Sequence, residues 1–393
     1  MKTASFYKDL SKDGRYIVKC MYYVFAVNGL YAMIMGPLLP YISEAYQLSN
    51  TVSGSLISAH YTGNLLSSFI ASILPAYLGR KNSVVFLSSF VIVGFLLMIL
   101  TGNPFLLLLS FFFTGISRGS ISNFNNATMS EISNSNSAAL SFMHAVFAIG
   151  ALIAPYVVVA SVSLIGSNGW RLAAIFIIVL TTISVILFTR MKLNENVVKK
   201  KNPLSYDFMK KKTFWILASI LFFYLCAEAT INGWLVMYFV DSGIFSIGYS
   251  QFLASLLWIG ILVGRLTVSA ISHKFSNKQI LYVLSIVTTA LFILLLSSRD
   301  VTVITLTIFA LGLSLAGIYP TTVAATGGFI KDYPMAMGIL LVLGGIGSIV
   351  MPIITGAVAD QFGILFGMAA IVFALALLII SVFAYDMDTR NKI

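Results

Sequence analysis

Two charged side chains stand in the middle of long apolar stretches, and they define what chemistry to expect. Glu228 is the acid that falls in mid-stretch, closing the run Trp215-Ile216-Leu217-Ala218-Ser219-Ile220-Leu221-Phe222-Phe223-Tyr224-Leu225-Cys226-Ala227. A carboxyl at bilayer depth costs roughly 3 kcal/mol, so such a group faces a helix-bundle interior or a wet cavity and marks a substrate or proton path. On a helix, Tyr224, Glu228, Asn232 and Leu235 share one face. This stripe predicts a proton carrier or an acceptor for substrate hydroxyls. A fixed ion pair is the plainer alternative.

Arg118 is the matching cation, in Gly115-Ile116-Ser117-Arg118-Gly119-Ser120-Ile121-Ser122-Asn123-Phe124-Asn125-Asn126. Its guanidinium stays charged and needs a partner. Three partners are open: Glu228, an anionic substrate, or backbone carbonyls. Arg118, Ser122 and Asn125 share a face, with Asn126 beside it, while Gly115 and Gly119 suit close helix packing. An Arg118–Glu228 pair would act as a coupling device, broken by substrate or proton. If so, swapping the two charges should restore activity that each single change removes.

Neutral polar groups at the same depth include Asn28, Tyr31, Asn64 and Tyr319, the last beside Pro320. Amides and hydroxyls both donate and accept, as sugar hydroxyls require, and Trp234 and Trp258 offer apolar ring faces. Such a lining favours a neutral polyol over a multivalent anion. His144 is a candidate for substrate or proton handling. His60 and His273 rank below it, and Arg265 reads as an anchor of its helix to the following loop.

Other chemistries lack their residues. There is no Gly-x-x-x-x-Gly-Lys-Ser/Thr loop for nucleotide phosphates. No His/Cys/Asp cluster has metal-ligand spacing, and no Ser/His/Asp set suggests an enzyme. Cys20 and Cys226 are far apart and read as apolar fillers. We therefore expect no enzyme and no cofactor, with H⁺ as coupling ion and Na⁺ as the alternative.

The elements that must position these residues are membrane helices. Of 393 residues, 59% are hydrophobic and 9% charged, against about 25% charged in a soluble domain. Apolar runs of about 20 residues suit helices crossing a hydrocarbon core of roughly 30 Å. Spans are predicted at 17–43, 52–75, 84–101, 104–128, 138–162, 170–190, 213–240, 248–272, 278–298, 301–326, 335–359 and 363–385. With the N-terminus inside, 20 of the 24 Lys and Arg fall in inner segments. Only Arg171 and Arg299 lie in outer loops. That bias orients both termini to the cytoplasm. The net charge of +11 follows this topology and implies no nucleic acid. The basic linker 191–212, with Lys199-Lys200-Lys201 and Lys210-Lys211-Lys212, divides a six-span bundle 1–190 from a second, 213–393. It is expected to touch anionic lipid at the cytoplasmic face.

The halves read as repeats. At an offset of 197 residues, Gly36, Gly63, Lys81, Gly115, Gly150 and Pro155 meet Gly233, Gly260, Lys278, Gly312, Gly347 and Pro352. Internal repeats of this kind place a substrate site near the midplane where they meet. Six plus six spans, a basic central loop and repeated loop signatures resemble the major facilitator superfamily. Its loop motif Gly-x-x-x-Asp-Arg-x-Gly-Arg-Lys is echoed by Ser72-Ile73-Leu74-Pro75-Ala76-Tyr77-Leu78-Gly79-Arg80-Lys81, with Ala76 in place of the Asp. The repeat copy, 269–278, carries His273 there, and Gly356-Ala357-Val358-Ala359-Asp360-Gln361-Phe362-Gly363 is a further echo. Segments 140–151, 227–234 and 317–321 are similar to the fucose–proton symporter family, although Gly36 and Ser122 stand where that branch carries acids.

The resemblance implies an all-α integral membrane protein of twelve helices in two six-helix repeats, with spans 1, 4, 7 and 10 lining a central cavity. It implies alternating access and proton-coupled uptake of a small neutral solute, a sugar or sugar derivative. Glu228 and Arg118 would couple the proton. Asn28, Tyr31, Ser122, Asn125, Asn126, His144, Tyr224, Asn232, Trp234 and Tyr319 would hold the substrate. The expected setting is a monomer in the plasma membrane. The alternatives are an organic-anion or drug transporter using Arg118, and a receptor that binds without flux.

Overall fold

The computed structural model describes residues 7, 10–133, 137–192, 207–271, 274–326, 333 and 335–390. Most of the predicted linker and His273 lie outside the described residues.

Every predicted span is a helix. Span 1 is Lys12–Met33 continued by Met35–Tyr46, and spans 2 to 6 are Asn50–Ile73, Pro75–Leu100, Pro104–Ile132, Ser137–Ile165 and Gly169–Thr189. Spans 7 to 9 are Lys212–Asp241, Ile247–Ile271 and Asn277–Ser297. Span 10 is Val301–Leu315 continued by Ile318–Ala325, and spans 11 and 12 are Met335–Phe362 and Ile364–Arg390. Among the described residues, nine stretches are long and apolar enough to cross a membrane, ten with the bent span 1. One of the nine, Phe142–Thr189, is spans 5 and 6 joined through the short helix Gly166–Asn168. Span 2 is not among them; Asn50, His60 and Asn64 are its most polar residues.

The breaks have local causes. Span 1 bends by 42° at Ile34. Pro37 follows three residues later and leaves the Met33 carbonyl without its helical donor. In span 10, Pro320 does the same to Ala316, where the helix breaks. The predicted loop before span 3 is mostly helical, beginning at Pro75 in the first turn. It kinks at Gly79, whose φ of 76° suits glycine.

The described residues form two compact units, residues 1–48 with 59–199, and residues 49–58 with 200–393. In the first, span 1 packs on spans 4, 5 and 6, and span 3 on spans 4 and 6. In the second, span 7 packs on spans 8, 11 and 12, and span 9 on spans 10 and 12. The pairs 1–5, 3–4, 3–6, 5–6 and 1–6 thus recur as 7–11, 9–10, 9–12, 11–12 and 7–12.

Glycines carry the repeat down to the atomic level. A Cβ on Gly63 would strike the Phe112 carbonyl, and one on Gly115 the His60 carbonyl. In the second unit Gly260 meets the Phe309 carbonyl and Gly312 the Leu257 carbonyl, each shifted by the same 197 residues. Spans 2 and 4, like spans 8 and 10, therefore cross with backbones in contact.

The start of span 2 is fastened within the second unit. The Asp360 carboxylate accepts from the Asn50 and Thr51 amides, both at 2.8 Å, and from the Thr51 hydroxyl. It satisfies donors that a helix N-terminus leaves open, and its charge suits that end of the dipole. Gly54 lies against the Pro352 carbonyl and Gly356 against that of Asn50. In the first unit, Arg80 after the Gly79 kink pairs with Glu131 at 2.8 Å, tying the turn to the end of span 4. Large apolar side chains such as Phe105, Leu306 and Phe373 point outward, as lipid-facing residues do. Cys20 and Cys226 are both free and buried.

Candidate functional site

Each unit holds its own polar cluster. In the first, Asn28 and Tyr31 of span 1 are fully buried against span 4. Asn28 Nδ2 donates to Ser122 Oγ at 3.0 Å, and the Tyr31 hydroxyl donates to Ser117 Oγ at 3.2 Å. The Ser117 hydroxyl in turn donates to the Ser88 carbonyl at 3.1 Å. Asn125 Nδ2 donates to the Met21 carbonyl at 3.2 Å. Among the described residues the buried carbonyl oxygens of Asn28 and Asn125 have no donor, which leaves two acceptors unused inside this cluster. Asn126 is half-buried beside them. His144 is exposed and lies edge-on to Phe25 at 5.4 Å between ring centres.

Arg118 is half-buried in the same unit. Its Nη1 donates to His60 Nε2 at 3.3 Å, and its guanidinium lies 5.4 Å from the centre of the Tyr61 ring. Among the described residues, no carboxylate of its own unit forms an ion pair with it. His60 is buried, and its Nδ1 lies 2.8 Å from Thr114 Oγ1. The histidine ranked low from sequence is therefore the side chain that holds Arg118.

In the second unit, the predicted stripe on span 7 forms. The buried Tyr224 hydroxyl donates to the Glu228 carboxylate one turn on. Asn232 donates back to the Glu228 main-chain carbonyl at 2.8 Å. Tyr319 of span 10 is 36% exposed. Glu228 and Arg265 of span 8 both lie within electrostatic reach of the Tyr224 and Tyr319 hydroxyls. Arg265, expected as an anchor of its helix, thus also shares two tyrosine neighbours with Glu228. Trp234 is buried beside Gly54, and among the described residues its indole N–H has no partner.

The repeat relates the two clusters. Tyr31 and Glu228 occupy equivalent positions in spans 1 and 7, and Ser122 and Tyr319 in spans 4 and 10. His60, Thr114 and Arg118 correspond to Leu257, Leu311 and Leu315, all buried. That comparison, available in the sequence, would have drawn His60 and Thr114 into the site.

Among the described residues no group of His, Cys, Asp or Glu is arranged to hold a metal ion. The first cluster offers neutral donors and acceptors with the Arg118 cation, and the second offers the Glu228 carboxylate, the Arg265 cation and two tyrosine hydroxyls.

The helices, their paired packing and the polar clusters define a membrane transporter fold. The family model of the Major Facilitator Superfamily matches residues 21–274 and 217–392, and the chain belongs to that superfamily. It is 22% identical over 371 residues to the Protein TsgA homolog of Buchnera aphidicola, covering 93% of this chain and 95% of the relative. Identity to the glucose/mannose transporter GlcP of Bacillus subtilis is 22% over 329 residues, covering 79% and 80%. Among solved structures, a bacterial homolog of the human lysosomal transporter Spinster, inward-facing and unoccupied, matches with a TM-score of 0.79 at 13% identity. That match covers 96% of this chain and 97% of the other. The nucleoside transporter NupG matches with a TM-score of 0.75 at 14% identity, covering 96% and 99%.

Proposed function

We propose that this chain is a proton-coupled importer of a small neutral solute, a sugar or sugar derivative, working by alternating access. The observation that carries the reading is Glu228, a carboxylate in an apolar span, hydrogen-bonded by Tyr224 and accompanied by Tyr319 and Arg265. A carboxylate so placed can take up a proton and release it when its neighbours move. Asn28 and Asn125, whose carbonyl oxygens have no donor among the described residues, and the Ser122, Tyr224 and Tyr319 hydroxyls suit a polyol. The glucose/mannose and nucleoside transporters among its relatives carry hydroxyl-rich cargo by their names, which supports the same class. Arg118 would couple with this site by binding substrate or by pairing with Glu228. The setting we propose is the plasma membrane, both termini cytoplasmic, with the basic linker against anionic lipid.

The test is substrate-driven proton movement in proteoliposomes, with a pH dye and a panel of sugars and organic acids. One neutral sugar should alkalinise the outside with wild type and not with Glu228→Gln, while the variant keeps sugar counterflow. A wild-type protein that moves no sugar refutes the proposal. A second reading, an organic anion as cargo, draws on Arg118, which among the described residues has no acidic partner in its unit. It requires a response to acids and none to sugars.

A further inference from the structure

We infer that His60, locked by Thr114, is a positioning residue that aims Arg118 at two neighbouring oxygen atoms of the substrate. The inference rests on the sugar reading above for the ligand's chemistry, though its geometry stands on the first unit alone.

The hydrogen bonds fix the ring's state. The Thr114 hydroxyl donates to the Phe111 carbonyl at 2.6 Å, so toward His60 Nδ1 it can only accept. Nδ1 must therefore carry the proton. At the other end, a guanidinium donates and never accepts. The 3.3 Å contact to Arg118 Nη1 requires a lone pair on His60 Nε2. Both ends demand the same neutral ring, protonated on Nδ1. A doubly protonated ring would turn an N–H toward a cation and break the contact.

This lock leaves the rest of the guanidinium free to act. One edge is held by Nε2 and one face lies by the Tyr61 ring. Among the described residues nothing else accepts from its remaining N–H groups. A guanidinium fork pairs with two adjacent oxygens in a plane, the arrangement that vicinal sugar hydroxyls present. Without His60 the long side chain would retain its charge and lose its direction.

The chain contains its own control for a purely structural role. The second unit builds the same crossing, with Gly260 and Gly312 in place of Gly63 and Gly115. At the three equivalent positions it packs Leu257, Leu311 and Leu315, all at most 1% exposed. The fold therefore closes this seam with leucines. His60, Thr114 and Arg118 are additions to it, and they form a connected chain of contacts.

Two measurements test this. The first is uptake kinetics in proteoliposomes with the sugar that wild type transports. His60→Leu copies the second unit, so its melting temperature should stay within a few degrees of wild type. Its KM should rise by at least about tenfold, the scale of one charged hydrogen bond, with a smaller change in kcat. His60→Gln places an amide oxygen where Nε2 was and should recover most of the affinity. His60→Asn can meet Thr114, but it is too short for Arg118 and should behave as His60→Leu. A His60→Leu or His60→Asn protein with wild-type KM overturns the proposal. The second measurement needs no substrate. The chain has three histidines, and ¹⁵N spectra of histidine-labelled protein, assigned by difference with His60→Gln, report the ring's tautomer. We expect a neutral Nδ1–H ring whose Nε2 resonance moves in Arg118→Gln. A charged ring or an Nε2–H ring overturns the lock whatever the cargo is. Absence of sugar uptake by wild type with an intact Nδ1–H signature would refute the sugar reading and leave the lock standing, with the KM comparison then made on the organic acid that responds.

Discussion

At the scale of single residues, the two mid-span charges have different company. Glu228 has a tyrosine one turn before it and a cation on the neighbouring span. Arg118 has a neutral imidazole and an aromatic face. If Glu228 carries the proton, uptake by wild type should rise as the outside is acidified, because the driving gradient and the protonated fraction rise together. Glu228→Gln should show a flat profile, measured as initial rates across external pH. Glu228 and Arg118 were legible from sequence because a charge is conspicuous among apolar residues. Arg118's partner was legible only through the repeat, which sets leucines opposite His60, Thr114 and Arg118; that a histidine on span 2 meets an arginine on span 4 shows once the Gly63–Gly115 crossing is known. For Arg265, the distance along the chain from Glu228 hides that Tyr224 and Tyr319 lie near both. Trp234 was conspicuous as an aromatic ring, while its neighbour Gly54 comes from a span that sequence distance hides.

Single helices carry the next set of consequences. The twelve spans and their repeat could be read directly, since hydrophobic length and a common glycine register are local properties of the chain. The bends were legible only in part: Pro320 and Pro37 act four residues upstream, on carbonyls that sequence does not flag. Backbone contact at the glycine crossings gives a symmetric expectation. Gly115→Val and Gly312→Val should each lower the melting temperature in detergent by several degrees, since overpacking costs about 1–3 kcal/mol and the obstacle here is main chain. A variant that melts like wild type would mean that the crossing opens freely. Asp360 makes a second case. Asp360→Ala removes three hydrogen bonds from the start of span 2 and should cost about 1 kcal/mol, the usual worth of a helix cap. Asp360→Asn should fall between, since an amide oxygen still accepts while the charge is gone.

For the whole molecule, the question is which ends face which side. The distribution of Lys and Arg predicts that segments near Arg171 and Arg299 lie outside and those near Arg80 and Lys274 inside. A polar maleimide added to intact cells should label Ser298→Cys but reach Ser276→Cys only after the membrane is opened; the reverse pattern would invert the topology. Both native thiols are buried. The natural chain is thus already a quiet background for thiol-directed probes, without the cysteine-free redesign that such work commonly needs. Spin labels, fluorophores or cross-linkers can be placed in pairs on this sequence, and its motions during a transport cycle can be timed in the protein as it occurs.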